Sequence, residues 1–120
     1  MSLKQSTDQS ASRNADLSPV CWHRDRRRDC LRVEVSADET YFFPYQQFVT
    51  AHHCRSGNDE TLRISFSNHE VILCGRHLEA IAAALQDFAV DWVKAFPVRY
   101  RSLAGTEMTS ISRIEVKAIE

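Results

Sequence analysis

The sequence predicts an α+β domain: an antiparallel sheet of about four to five strands with one long amphipathic helix packed on one face, behind a disordered N-terminal tail. Three observations carry that expectation. Apolar and polar residues alternate with a period of two at Leu31–Val35, Leu62–Phe66 and Ile114–Ala118, as strands with one wet and one buried face require. From Leu78 to Trp92 the apolar positions recur every three or four residues, which lines one face of a helix. Ser2–Pro19 is rich in Ser, Asp, Gln and Asn and holds too little apolar surface to offset the entropy of ordering its backbone.

A chain of 120 residues suits one self-supporting core and is too short for two. Residues 1–29 read as a flexible polar and basic tail, and 30–120 as the single domain. Apolar residues make up 43% and charged residues 26%, which disfavours a disordered or fibrous class. A formal charge of -1 provides no global field for nucleic acid or an anionic membrane, so contact with either would need a local patch. Met1–Ala15 has no apolar run that could act as a secretory signal, so the expected compartment is the cytoplasm and the four cysteines are expected to be thiols. In an exported protein, Cys21 and Cys30 could instead close a short disulfide loop. The charged residues Glu79, Asp87, Asp91 and Lys94 exclude a membrane span over 78–96.

The elements follow in order. Leu31, Val33 and Val35 mark the first strand, and Ala37-Asp38-Glu39 a polar turn. Pro44 removes a backbone donor, so 40–45 is an edge strand or a loop crossing. Gln47–Cys54 runs extended, and Arg55–Asp59 is a loop before the strand at Leu62–Phe66. Ser67–Glu70 separates that strand from Val71–Cys74 as in a tight antiparallel hairpin. The helix is expected over roughly 77–95, with Glu79 and Lys94 placed as its dipole favours and Phe96-Pro97 blocking continuation. Ile114, Val116 and Ala118 mark a closing strand.

Several enzyme classes lose their signatures. The three glycines do not cluster, so no phosphate cradle can form, and C-x-x-C, HExxH and GxSxG are all missing. The leading expectation is a non-catalytic interaction or self-assembly module with no cofactor, using open sheet edges and surplus aromatics to bind a second copy or another protein. Phe42 and Tyr45, within a dense group that includes Tyr41, Phe43 and Phe48, are the candidate partner contacts; ordinary core burial is the favoured reading for most of the group, which is too dense for one strand to hide entirely on one side. The alternative is a zinc-type site. His52, Cys54, His69, Cys74 and His77, with His53 beside them, supply the imidazole and thiolate that such metals prefer. Buried free cysteines and surface histidines would give the same pattern without a metal. A Cys-His nucleophilic pair lacks an identifiable orienting residue. The second alternative is nucleic-acid binding through Arg24, Arg26, Arg27 and Arg28 next to Trp22, a theme repeated at Arg99, Tyr100 and Arg101. Asp25 and Asp29 dilute that charge, as in a solvated linker. Glu79, Asp87 and Asp91 fall on the polar helix face and are assigned no role.

Overall fold

The computed structural model describes residues 20–95 and 108–119. Eight strands and one short helix follow in order: β1 Trp22–Arg24, β2 Cys30–Ser36, β3 Glu39–Pro44, β4 Phe48–Ser56, β5 Asp59–Phe66, β6 His69–Arg76, α1 Glu79–Leu85, β7 Val90–Lys94 and β8 Ser110–Ala118. A single 3-10 turn, Tyr45–Gln47, links β3 to β4.

The strands form two four-stranded sheets, ordered β1-β7-β2-β3 and β4-β5-β6-β8. Strands account for 62% of the structure, which corrects the expected α+β domain: it is a mostly-β fold, with no long helix laid over one antiparallel sheet. The error lies in 86–94. After seven helical residues the chain turns at Gln86–Phe88, and β7 is inserted between β1 and β2. Val90, Trp92 and Val93 suit a strand at least as well as a helix. Pairing with β1 on one side and parallel pairing with β2 on the other satisfies the β7 backbone, a gain between distant segments that no local period reports.

The way α1 ends explains the reversal. Phe88 N–H donates to the Leu85 carbonyl at 3.0 Å and Ala89 N–H to the Ala84 carbonyl at 2.9 Å, the pairing of a Schellman C-cap. Phe88 holds the left-handed position, at φ 53°, where glycine is the usual occupant.

The hairpin between β5 and β6 is present as expected, with Ser65 opposite Glu70. Gly57 at φ 65° turns β4 into β5, and Ser56 faces Asp59. Pro44 is the last residue of the edge strand β3, where a missing donor costs nothing. Residues 21–29, expected in the tail, join the folded unit: Cys21 is buried and β1 pairs with β7.

One core lies between the sheets. Leu31, Val33, Val90 and Val93 from the first sheet meet Leu62, Ile64, Val71 and Leu73 from the second, and Leu78, Ile81 and Leu85 of the helical segment join them. Phe43 stacks on Phe66 at 4.7 Å between ring centroids, tying β3 to β5 across the two layers. Each such aliphatic side chain contributes about 1.5–3 kcal/mol through burial.

Candidate functional site

The alternation of β5 turns Glu60, Leu62, Ile64 and Phe66 to the interior. Glu60 is thereby buried, only 7% exposed. A buried carboxylate is costly unless hydrogen-bonded, and Glu60 is well supplied. His53 on neighbouring β4 places Nε2 2.7 Å from Oε1; the carboxylate has no proton to give, so His53 carries the proton on Nε2. The Leu78 N–H donates to Oε1 at 2.9 Å and the His77 N–H to Oε2 at 2.9 Å. Arg55 Nε stands 3.7 Å from Oε2.

Burial alone would raise the Glu60 pKa; the hydrogen bonds from His53, Leu78 and His77 and the charge of Arg55 outweigh it and hold the carboxyl down at about 2. No side chain caps α1 from Leu78; Glu60 instead satisfies, from β5, the N–H of the N-cap residue Leu78 and of His77 before it, and sets a negative charge beside the start of the helix. Glu79, the first residue of α1, closes the cluster: its carboxylate lies 3.4 Å from Arg55 Nη2. One ligand atom each from His53, Glu60 and Glu79 lie within 4.8 Å of one another.

Beside this cluster runs a cleft of about 440 Å³ between β4 and α1, lined by Phe48, Val49, Ala51, His53, Leu85 and Phe88 among others. Val49 is 63% and Phe88 45% exposed, so the apolar wall continues onto the surface. Phe88 stacks on Tyr45 at 5.0 Å and meets Phe48 edge-on at 5.5 Å, which fixes its ring despite its exposure. β4 is an edge: among the described residues no strand pairs with its outer side.

The five residues expected to bind metal do not gather around one point. His52 and Cys54 are together, with Cys54 Sγ 3.6 Å from a His52 ring nitrogen on the exposed face of β4. Cys74 shares that face, but Thr61 stands between it and Cys54 in the register, a separation of about 10 Å at normal strand spacing. Cys74 Sγ accepts a contact from Arg113 Nη2 at 3.6 Å instead. His69 begins β6, five residues or about 17 Å of extended chain from Cys74, with its ring against Phe43. His77 brings its backbone N–H to Glu60. All four cysteines are thiols, and burial pushes that of Cys21 up to about 12.

Of the two expected partner contacts, Phe42 is 63% exposed, on the outer face of β3. Tyr45 belongs to the core, a correction to its expected role: it is 6% exposed and its hydroxyl donates to the Val90 carbonyl at 2.7 Å. The arginines of 24–28 are largely directed at carboxylates. Arg24 bonds Asp87 at 3.1 Å, Arg27 bonds Asp25 at 3.0 Å, and Arg28 lies 3.5 Å from Asp25 and 3.6 Å from Asp91. Arg26, with Arg28, lines a second cleft near Tyr45. Arg99, Tyr100 and Arg101 lie outside the described residues. Among the described residues no helix is long and apolar enough to cross a membrane.

No family model, curated protein or solved structure matches this chain.

The chemistry of the site therefore rests on its own geometry. A carboxylate held at about 2 is a poor proton acceptor near neutral pH, so Glu60 is not poised as a general base. Its signal was present in the sequence, an acid on the inward positions of the Glu60, Leu62, Ile64, Phe66 run; its partner His53 sits on a strand whose inward face cannot be told without the register.

Proposed function

We propose that this protein is an interaction module that adds an extended segment of a partner protein to the free edge of β4, with apolar side chains of that segment entering the cleft against α1. The observation that carries the reading is the juxtaposition of a nine-residue open edge strand with an apolar cleft along the same strand. Backbone pairing supplies affinity in such a mode, and pockets beside the strand select alternate side chains. β4 carries neither proline nor lysine, the residues that commonly blunt an exposed edge. Arg55, 60% exposed at the far end of the strand, favours an acidic residue in the incoming segment. The occupant is thus an extended segment with apolar residues at alternate positions and an acid opposite Arg55.

The test is selection of displayed linear peptides of about ten residues against the full chain. Peptides should emerge with alternating apolar positions, should slow amide exchange along β4, and should bind at least about tenfold more weakly to Val49→Lys and Phe88→Lys variants. A selection yielding no binder, or binders indifferent to both substitutions, refutes the reading. A dimer built on β4 would instead show as concentration-dependent mass abolished by Val49→Lys, and would replace the foreign segment with a second copy.

A further inference from the structure

Three groups of side chains carry donor atoms suited to chemistry: the His52–Cys54 pair, the Cys74–Arg113 pair, and His53, Glu60 and Glu79, of which His53 also lines the β4 cleft. The first offers two donors on a fully exposed strand face, and the second offers one thiol facing a guanidinium. The third joins one imidazole and two carboxylates from three separate elements, β4, β5 and α1. We infer that His53, Glu60 and Glu79 form a binding site for a divalent transition-metal ion of the zinc class.

The donor set suits such an ion, since one imidazole nitrogen and two carboxylate oxygens leave a fourth position open, as at three-ligand zinc centres. Ligand bonds of about 2.0–2.2 Å require donors about 3.4 Å apart. The atoms present, all within 4.8 Å of one another, bracket that spacing. Reaching it needs His53 Nε2 and Glu60 Oε1 to part slightly from 2.7 Å and the Glu79 carboxylate to move in. Glu79 can do so at small cost because its side chain is 55% exposed.

Glu60 is oriented in advance. Its two backbone donors, the N–H groups of His77 and Leu78, act as the outer partners that hold a ligating carboxylate in place. Arg55 is the competitor already present. Its guanidinium reaches Glu79 only at 3.4 Å and Glu60 only at 3.7 Å, longer than a strong charge-assisted bond, and its side chain is 60% exposed. The ion displaces it into solvent. The two carboxylates neutralise the ion's two charges, and the His53 proton moves from Nε2 to Nδ1 through solvent, so the ring nitrogen that now donates to Glu60 becomes the one that ligates.

The experiment is calorimetric titration of the chelator-stripped full chain with zinc chloride, repeated on Glu79→Gln, His53→Gln and a double Cys54→Ser, Cys74→Ser variant, each checked by thermal melting. The expected result is about one ion per chain, unchanged in the cysteine variant, weakened roughly tenfold or more by Glu79→Gln and abolished by His53→Gln. Glu79→Gln is the decisive variant because it alters an exposed side chain and leaves the helix cap intact. Titration with cobalt should give visible d–d bands of a low-coordinate ion without thiolate charge-transfer absorption. Absence of zinc binding to the wild-type chain, loss of it in the cysteine variant, or its persistence in a folded Glu79→Gln protein would overturn the inference.

Discussion

Replacing Glu60 by Gln keeps the shape of the side chain and removes its charge. The two backbone N–H groups and the His53 Nε2–H would then face one carbonyl oxygen and one NH2 group, so one donor meets another donor. A hydrogen bond to a charged group contributes about 1.5–3 kcal/mol, and a negative charge beside a helix N-terminus about 0.3–1 kcal/mol. Losing the charge and spoiling one bond should therefore cost about 2–4 kcal/mol at pH 7. Linkage gives a consistent figure. Lowering the carboxyl from 4.5 to about 2 corresponds to roughly 3 kcal/mol.

The sign follows from the depressed value. The unfolded chain binds this proton near 4.5 and the folded chain only near 2, so the stabilisation is fully present above 4.5 and is lost as pH falls through that window towards 2. Urea unfolding of wild type and Glu60→Gln at pH 7 and pH 3 should show a gap of 2–4 kcal/mol, on the order above, that shrinks by about 2 kcal/mol at the lower pH. Equal midpoints at pH 7, or a gap independent of pH, would refute the assignment of Glu60 as an ionised cap for α1.

Two further predictions concern backbone geometry. Phe88→Ala and Phe88→Gly both lose the stacking on Tyr45 and Phe48, but only glycine relieves the left-handed position, so the glycine variant should be the more stable by about 1 kcal/mol in denaturant melts. A β-carbon on Gly75 would overlap the Ser110 carbonyl oxygen across the β6–β8 pair, whereas one on Gly57 meets open space and bears only its φ of 65°. Gly75→Ala should then melt far below Gly57→Ala, whose cost is about 1 kcal/mol; equal melting temperatures would refute that close approach.

How much was legible from the residues depends on whether the deciding interaction was local. The alternation at Leu31–Val35 and Leu62–Phe66 reports burial on one face of a strand, and those strands lie where the pattern puts them. The hairpin at Ser67–Asn68 and the edge position of Pro44 follow from turn chemistry and a missing donor. The expected helix over 77–95 was right only for Glu79–Leu85, because residues 88–93 satisfy a helical period and a strand pattern alike, and the choice fell to pairing with β1 and β2. The same long-range pairing drew Cys21 and Trp22–Arg24 out of the expected tail and into the fold.

The candidate site divides in the same way. The sequence by itself determined which residue types were available, histidines, thiols and carboxylates without a glycine cradle, and the inward face of Leu62, Ile64 and Phe66; the start of β5 at Asp59, which puts Glu60 on that face, is seen in the structure. Only the tertiary structure decided that Glu60 meets His53 across β4–β5 and the amides of 77 and 78, and that Cys54 and Cys74 are kept apart by Thr61. The physical reason is that a period of two or 3.6 fixes the face on which a side chain lies, while register and the order of strands in a sheet fix its neighbours.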